Sequence, residues 1–318
     1  MTWRGTNFVP SGTAIKFLSF RQICLTASAM LIIASIALFF SKGLNYGIDF
    51  LGGVKIEIGT KDGKPVDRDD LRSKLGTLNI GDPLIQQIGK PQNVLIRIQQ
   101  QSGGEEAQQK VVDSVRAALG ETYEYRNTQV IGPTVSAELA EKGIIAVVAA
   151  IFCVLLYIWF RFEWQFSLGA VAALVHDVIL TIGIFSLLEL EFGLSIIAAL
   201  LTIVGYSLND TVVVYDRVRE NLRRFKKMAL PDLLDLSINE TLSRTILTSV
   251  TTLIALVSLY VLGGEVLRGF VFAMIWGVIV GTYSSVFIAS PVLLLFGVKR
   301  DWSGLDANKN RTPAGAQV

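Results

Sequence analysis

The stretch ICLTASAMLIIASIALFF, from Ile23 to Phe40, is an apolar run of eighteen residues. At about 1.5 Å of rise per residue, a helix of this length nearly crosses the hydrocarbon core of a bilayer, which is about 30 Å thick. The run is longer than the core of a secretory signal peptide, and no small-residue cleavage pattern follows it in residues 40–44. It therefore predicts a retained membrane-spanning helix.

The rest of the chain has the same apolar character. Hydrophobic residues make up 51% of the 318 residues and charged residues only 18%, which excludes an ordinary soluble protein. The sequence predicts six membrane-spanning helices in all. The five further apolar stretches run from Ile144 to Phe160, Phe166 to Leu188, Phe192 to Tyr215, Thr245 to Leu262 and Phe270 to Val298.

Basic residues are concentrated in alternate links between the spans, and basic links remain in the cytoplasm. The link between the fourth and fifth spans is strongly basic, whereas the preceding link, Glu189-Leu190-Glu191, is acidic. Both termini are therefore predicted to be cytoplasmic, and residues 44–142 to lie outside. The basic residues are Arg4, Lys16, Arg21, Arg161, Arg217, Arg219, Arg223, Arg224, Lys226, Lys227, Lys299 and Arg300.

The segment 44–142 has the alternation and turn signals of a globular domain. Val54-Lys55-Ile56-Glu57-Ile58 alternates as a strand does, and residues 89–93 separate two further strands as a hairpin turn would. The order βαββαβ predicts a ferredoxin-like α+β domain. Its predicted elements are strand 54–58, helix 66–75, strands 84–88 and 94–98, helix 105–119 and strand 122–131.

The predicted organisation has four parts. Residues 1–43 hold the N-terminus and first span, 44–142 the periplasmic domain, 143–298 spans two to six, and 299–318 a polar tail that is expected to be disordered. Within the cytoplasmic link 217–244, Leu230-Pro231-Asp232 begins a short helix expected to lie on the membrane surface before the fifth span.

The sequence contains no metal-ligand cluster, nucleotide-binding loop or nucleophile triad. We therefore predict that the protein is not an enzyme and has no catalytic residue, cofactor or bound metal. The informative positions are ionisable residues inside the spans. Each costs about 2.5–3.5 kcal/mol at the centre of a membrane helix, so each must face protein or water.

Asp210 lies six residues before Asp216, or about 9 Å inside the end of the fourth span. Thr202, Tyr206, Asn209 and Asp210 fall on one side of that helix. Because desolvation disfavours the charged form of a carboxylate, the favoured interpretation is a proton-handling role. The alternative is a carboxylate that a neighbour neutralises permanently in order to hold helices together.

Arg244 begins the fifth span and heads a polar stripe with Thr248, Thr251 and Ser258. Spans four and five run antiparallel, so Arg244 and Asp210 lie towards the same side of the membrane. An ion pair between them is one interpretation. The other, equally open on the residues alone, is a basic anchor that reaches lipid phosphates.

His176 and Asp177 lie in the middle of the third span. Adjacent residues diverge by about 100° around a helix, so one is expected to contact the bundle while the other hydrogen-bonds locally. Small residues near His176 favour a structural histidine over a proton relay. In the sixth span, the spacing of Gly277, Gly281 and Ser285 predicts close helix packing.

Four motifs stand together in this chain. They are Gly47-Ile48-Asp49-Phe50-Leu51-Gly52-Gly53, His176-Asp177, GYSLNDTVVVYDR from Gly205 to Arg217, and SINETLSRT from Ser237 to Thr245 leading into TSVTTL from Thr248 to Leu253. Together they resemble the SecF family of bacterial protein-export membrane proteins, within the resistance-nodulation-division superfamily. The resemblance covers nearly the whole chain.

The resemblance implies a proton-driven accessory subunit that promotes preprotein export across the bacterial inner membrane. It implies SecD as the partner that completes a twelve-helix unit beside the SecYEG channel, with YajC and the translocating preprotein as further partners and no nucleic acid. Asp210 and Arg244 match the family's proton-pathway positions. His176, Asp177, Asn209 and Tyr206 are secondary candidates.

Two other functions remain open. A proton-coupled exporter of small molecules or lipids, from the same superfamily, would need a substrate cavity and usually a second outer domain. A static scaffold would leave Asp210 unexplained. Copurification with a candidate partner protein would discriminate between them.

Overall fold

The computed structural model describes residues 13–298, so the predicted tail and the basic residues Arg4, Lys299 and Arg300 lie outside the described residues. Within that range, six helices are long and apolar enough to cross a membrane. An α+β domain lies between the first and the second of them. The predicted fold class is therefore confirmed.

Most of the membrane helices are longer than the apolar stretches that predicted them, and the last of them is composite. The helices are α1 (Arg21–Lys42), α2 (Ile48–Leu51), α3 (Arg68–Gly76), α4 (Gly104–Leu119), α5 (Pro133–Arg161), α6 (Trp164–Leu188), α7 (Leu194–Arg224), α8 (Leu230–Leu262), α9 (Glu265–Ser284) and α10 (Ser290–Phe296). The strands are β1 (Asn45–Tyr46), β2 (Gly53–Thr60), β3 (Leu84–Gln87), β4 (Asn93–Ile98), β5 (Tyr123–Ile131) and β6 (Glu191–Phe192).

The outer domain consists of β2, α3, β3, β4, α4 and β5, and its antiparallel sheet has the strand order β3-β4-β2-β5. This is the predicted ferredoxin-like arrangement. Val54, Ile56 and Ile58 of β2 are fully buried in a core shared with α3 and α4. Their spacing of two follows from the alternation of side chains along a strand. Asp67 caps α3 by accepting hydrogen bonds from two amides of its first turn.

The fifth span differs from its prediction. A separate surface helix was expected before a span that begins at Thr245, but α8 is continuous from Leu230 to Leu262. Neither proline nor glycine interrupts it after its first turn. Leu233, Leu234 and Ile238 are buried in one cluster with side chains from the extended end of α7. The two helices thus continue beyond the apolar stretches as a packed pair, which removes the need for a surface location.

Helices α6, α7 and α9 form the interior of the helix bundle, whereas α1, α5 and α8 lie largely on its outside. Gly277 and Gly281 of α9 lie against Ile203 and Ser207 of α7. A Cβ atom added at Gly277 would come within 2.3 Å of the Ile203 side chain. The close packing predicted from the glycine spacing is confirmed.

The last span changes its helical geometry at Ser285. A π-helical turn from Ser285 to Ala289 separates α9 from α10 and precedes Pro291, which has no amide hydrogen to continue the α-helical pattern. The Tyr215 hydroxyl donates to the Ala289 carbonyl at 3.0 Å, and the Ser290 hydroxyl donates to the Ser285 carbonyl at 3.1 Å. These two bonds fix the irregular turn in place.

Candidate proton-handling site within the membrane helices

Asp210 is a buried carboxylate in α7, with only 3% of its surface exposed. Its Oδ2 atom makes no hydrogen bond to any residue between 13 and 298. Over the same range, the hydroxyl oxygens of Tyr206 and Thr211 on α7 and of Thr245 on α8 are also buried without a partner. Buried polar atoms usually have partners. Four buried polar groups with unused hydrogen-bonding capacity therefore lie at Asp210, within about one turn of it, or on the neighbouring helix.

Arg244 is the charged residue of α8 that acts electrostatically on Asp210. The side chain of Arg244 is exposed, and within the described part of the chain it forms no salt bridge with the Asp210 carboxylate. The contact ion pair considered from the sequence is therefore not formed. The reason lies in the helix period, because Thr241 and Thr245 occupy the buried side of α8 and Arg244 is rotated by about 100° from Thr245.

The predicted polar side of α7 is divided between covered and exposed residues. Asp210 is buried and Tyr206 is partly buried, whereas Asn209 is exposed. Neither the Asn209 amide nor the Arg244 guanidinium makes a hydrogen bond to another described residue. Polar groups with unused donors are costly to leave against lipid. The exposed polar and small residues, which are Thr202, Gly205, Asn209, Arg244, Thr251 and Ser258, thus mark a side of the bundle suited to contact with another protein.

Asp177 connects three helices in the interior of the bundle. Its Oδ2 atom accepts hydrogen bonds from the Ser207 hydroxyl of α7 at 2.5 Å and the Ser284 hydroxyl of α9 at 2.8 Å. The Nδ1 atom of His176 lies 2.9 Å from Asp177 Oδ1. Asp177 therefore contacts the bundle while His176 bonds locally, as predicted. The His176 ring lies against Tyr283, and its Nε2 atom has no partner among residues 13–298.

The hydroxyl partners of Asp177 in this cluster were not predicted from the sequence. For Ser284 the signal was the run Thr282-Tyr283-Ser284-Ser285, since four consecutive hydroxyl residues are unusual in an apolar span. The Thr282 hydroxyl bonds to Ser249 of α8, and the Tyr283 hydroxyl bonds to Ser28 of α1. Together with Ser284, these residues connect α9 to three different helices.

The segments that carry these features match known protein families. The model for the C-terminal part of the protein-export membrane proteins SecD and SecF matches residues 111–299, which include Asp210, Arg244, His176 and Asp177. The chain belongs to the SecD/SecF family of protein-export membrane proteins. The model for the family's GG motif matches residues 37–63, which include Gly52 and Gly53.

Relatives in this family are similar over nearly the full chain. Protein translocase subunit SecF of Rhodobacter capsulatus is 45% identical over 326 residues, which cover 98% of this chain and 97% of the relative. Protein translocase subunit SecDF of Brucella abortus is 44% identical over 93% of this chain but only 39% of its own length. The family resemblance seen in the sequence is thus confirmed.

A solved structure in the family has the same fold. The crystal structure of SecDF from Thermus thermophilus matches with a TM-score of 0.81 and 34% sequence identity, over 90% of this chain and 39% of that chain. The chain therefore spans about two fifths of the SecDF proteins it matches and nearly all of the SecF relative.

Proposed function

We propose that the chain is the SecF-type accessory subunit of a Sec protein translocase and promotes preprotein export with the proton motive force. The SecF and SecDF relatives carry the name of protein translocase subunits. The proton-handling part of the proposal rests on Asp210. It is 97% buried, and its Oδ2 atom has no hydrogen-bond partner among the described residues. Arg244 acts on it electrostatically without contact.

This arrangement favours proton exchange over permanent neutralisation. A permanent structural pair would bring the Arg244 guanidinium onto the carboxylate, because a buried charge is tolerated best when it is paired and hydrogen-bonded. A carboxylate that binds and releases a proton instead needs a charged group that acts on it without occupying both of its oxygens. One charge that crosses 100 mV supplies about 2.3 kcal/mol, which is enough to bias a movement between two states.

The exposed side of α7 and α8 supports a membrane partner. We propose that SecD covers it, that the two proteins together work beside the SecYEG channel, and that YajC and the preprotein are further partners. The basic links favour cytoplasmic termini in the bacterial inner membrane and a periplasmic outer domain. In this proposal the chain acts as a transport subunit and not as an enzyme.

Export into inverted membrane vesicles, with and without a proton gradient, tests the proposal. Asp210→Asn is nearly isosteric, so the amount of intact complex should be kept while gradient-stimulated export is lost. Arg244→Met should also lower stimulation. Asp113→Asn, the same chemical change on the exposed surface of the outer domain, is the matched control and should export normally. Normal gradient-stimulated export by Asp210→Asn would refute the proton-handling role.

A further inference from the structure

The outer domain is attached to the membrane helices at a third place besides its two chain connections. Strand β1, which follows α1, pairs in parallel with β6 in the loop between α6 and α7. The Gly47 amide continues this pairing by donating to the Phe192 carbonyl at 2.9 Å. The segment that opens the outer domain is thus bonded to the loop from which α7 begins.

Asp49 supplies the N-terminal cap of α7 from a distant part of the chain. Its Oδ2 atom accepts a hydrogen bond from the amide of Leu194, the first residue of α7, at 2.8 Å. The residue at the cap position itself is Gly193, which has no side chain for that role. A carboxylate at a helix N-terminus satisfies a free amide and interacts favourably with the helix dipole.

Glu191 fixes the same loop to the sheet of the outer domain. Its carboxylate lies 2.9 Å from the Lys55 ammonium of β2 and 3.8 Å from the Arg97 guanidinium of β4. Arg97 is 8% exposed and also donates to the Asn45 side chain at 3.1 Å. Because β2 and β4 are the two central strands of the sheet, the loop is held by the interior of the sheet and not by an edge strand.

Two glycines make this close approach possible. A Cβ atom at Gly193 would lie 2.6 Å from Asp49 Oδ2, and one at Gly47 would lie 3.0 Å from the Glu191 carboxylate. From Leu194 to Asp210, α7 continues for sixteen residues, or about 24 Å. A continuous helix of that length carries a shift or tilt from one end to the other.

We propose that Asp49 and Glu191 form a joint that makes the outer domain follow α7, with Asp49 as the positioning residue for that helix. The joint rests on the proposed function only in that the uptake or release of a proton at Asp210 is what displaces α7. When a change of charge at Asp210 displaces α7, the joint transmits the displacement to the sheet through Leu194, Asp49 and the Glu191 ion pairs. The outer domain is then displaced together with α7.

Distances between spin labels test the joint in the full complex with its SecD-type partner, reconstituted in lipid vesicles. Labels on the exposed positions Arg72→Cys in α3 and Arg223→Cys in α7 report the placement of the domain on the helix, in a chain that also carries Cys24→Ser and Cys153→Ser. Gradient-stimulated export is measured on the unlabelled variants. Asp49→Ala removes the acceptor, Asp49→Asn keeps one, and Gly193→Ala displaces Asp49 from the other side.

Loss of a helix cap should raise the population of detached arrangements roughly 5- to 30-fold. We expect Asp49→Ala and Gly193→Ala to widen the resting distance distribution and to lower gradient-stimulated export per complex. Combining the two should be no worse than either alone, since both break one contact. Asp49→Asn should stay near the wild type, and Asp113→Asn should be unchanged.

Two results would overturn the proposal. An unchanged resting distribution in both Asp49→Ala and Gly193→Ala would show that the joint does not hold the domain. A widened distribution with wild-type gradient-stimulated export would show that the joint transmits nothing. If the wild type itself shows no stimulation by the gradient, the proposed function fails, and the resting distances still decide whether the joint exists.

Discussion

The Ser207 hydroxyl of α7 donates a 2.5 Å hydrogen bond to Asp177 of α6, and Ser207 lies three residues before Asp210. The polar contact that holds the bundle interior together is therefore almost one helical turn from the candidate proton site. The position of the Asp210 side chain depends on the rotation of α7, which this bond helps to fix.

Ser207→Ala should destabilise the bundle. It removes one of the two hydroxyl donors to a fully buried carboxylate oxygen, which costs about 1–3 kcal/mol. Thermal unfolding of the purified complex in detergent should show a lower midpoint. Ser114→Ala is the matched control, because that hydroxyl makes a solvent-exposed bond only to its own helix at Lys110 and lies in the outer domain, away from the proposed partner surface. Equal midpoints for the two variants would contradict the anchoring role of Asp177.

Gly277→Ala should destabilise the packing of α9 on α7. The added methyl group would lie 2.3 Å from Ile203, and such overpacking costs about 1–3 kcal/mol. Adding Ile203→Ala should recover part of the lost stability. The unfolding midpoint of the double variant should therefore be higher than the value expected from adding the decreases of the two single variants. Strict additivity in the same thermal assay would show that the two residues are not in tight contact.

Gly205→Leu should weaken binding of the SecD-type partner without harming the isolated chain. Gly205 is exposed on α7, and a Cβ atom there would meet nothing within 4 Å. Because a Cβ atom has free space there, the larger side chain can extend away from this chain and obstruct a helix packed on it. Recovery of the partner in an affinity purification should fall several-fold. Val148→Phe, on the exposed side of α5, should leave recovery unchanged if the partner covers α7 and α8.

Cysteine labelling checks the proposed orientation. Gly63→Cys in the outer domain should react with a membrane-impermeant reagent added to the periplasmic side of intact cells stripped of their outer membrane. Lys227→Cys, in the basic link between α7 and α8, should react only after the membrane is opened. Both positions are exposed, so the residues themselves do not limit the reaction. The reverse pattern at either position would refute the proposed topology.

The sequence was sufficient to predict the elements whose hydrophobic pattern depends only on whether each side of the element faces water, lipid or a protein core. Alternation from Val54 to Ile58 predicted a half-buried strand, and the long apolar runs predicted membrane-spanning helices. The structure confirms the six spans and the ferredoxin-like strand order. The depth of Asp210 in its span likewise predicted its burial. In each case the information lies within one segment of the chain.

What the sequence did not reveal are contacts between segments. The continuity of α8 depends on Leu233 and Ile238 finding apolar partners on α7, which the polarity of the link concealed. The direction of the Arg244 side chain depends on which side of α8 faces α7. The amphipathic period shows which residues share one side of a helix, but it does not show which helix packs against that side. The cap that Asp49 provides for α7 is hidden for the same reason, since 145 residues separate the two partners.

The π-helical turn at Ser285 sets the rotational phase of the last span. A π-helical turn holds about one residue more than an α-helical turn, so the side chains after it are offset by about 100° from those before it. Ser284 can thus point at Asp177 while the Ala289 carbonyl meets Tyr215, although both partners lie on fixed helices of the bundle. The turn is equivalent to one residue inserted into an α-helix. Deleting one residue there would rotate the side chains at one end of the span away from their partners on the neighbouring helices.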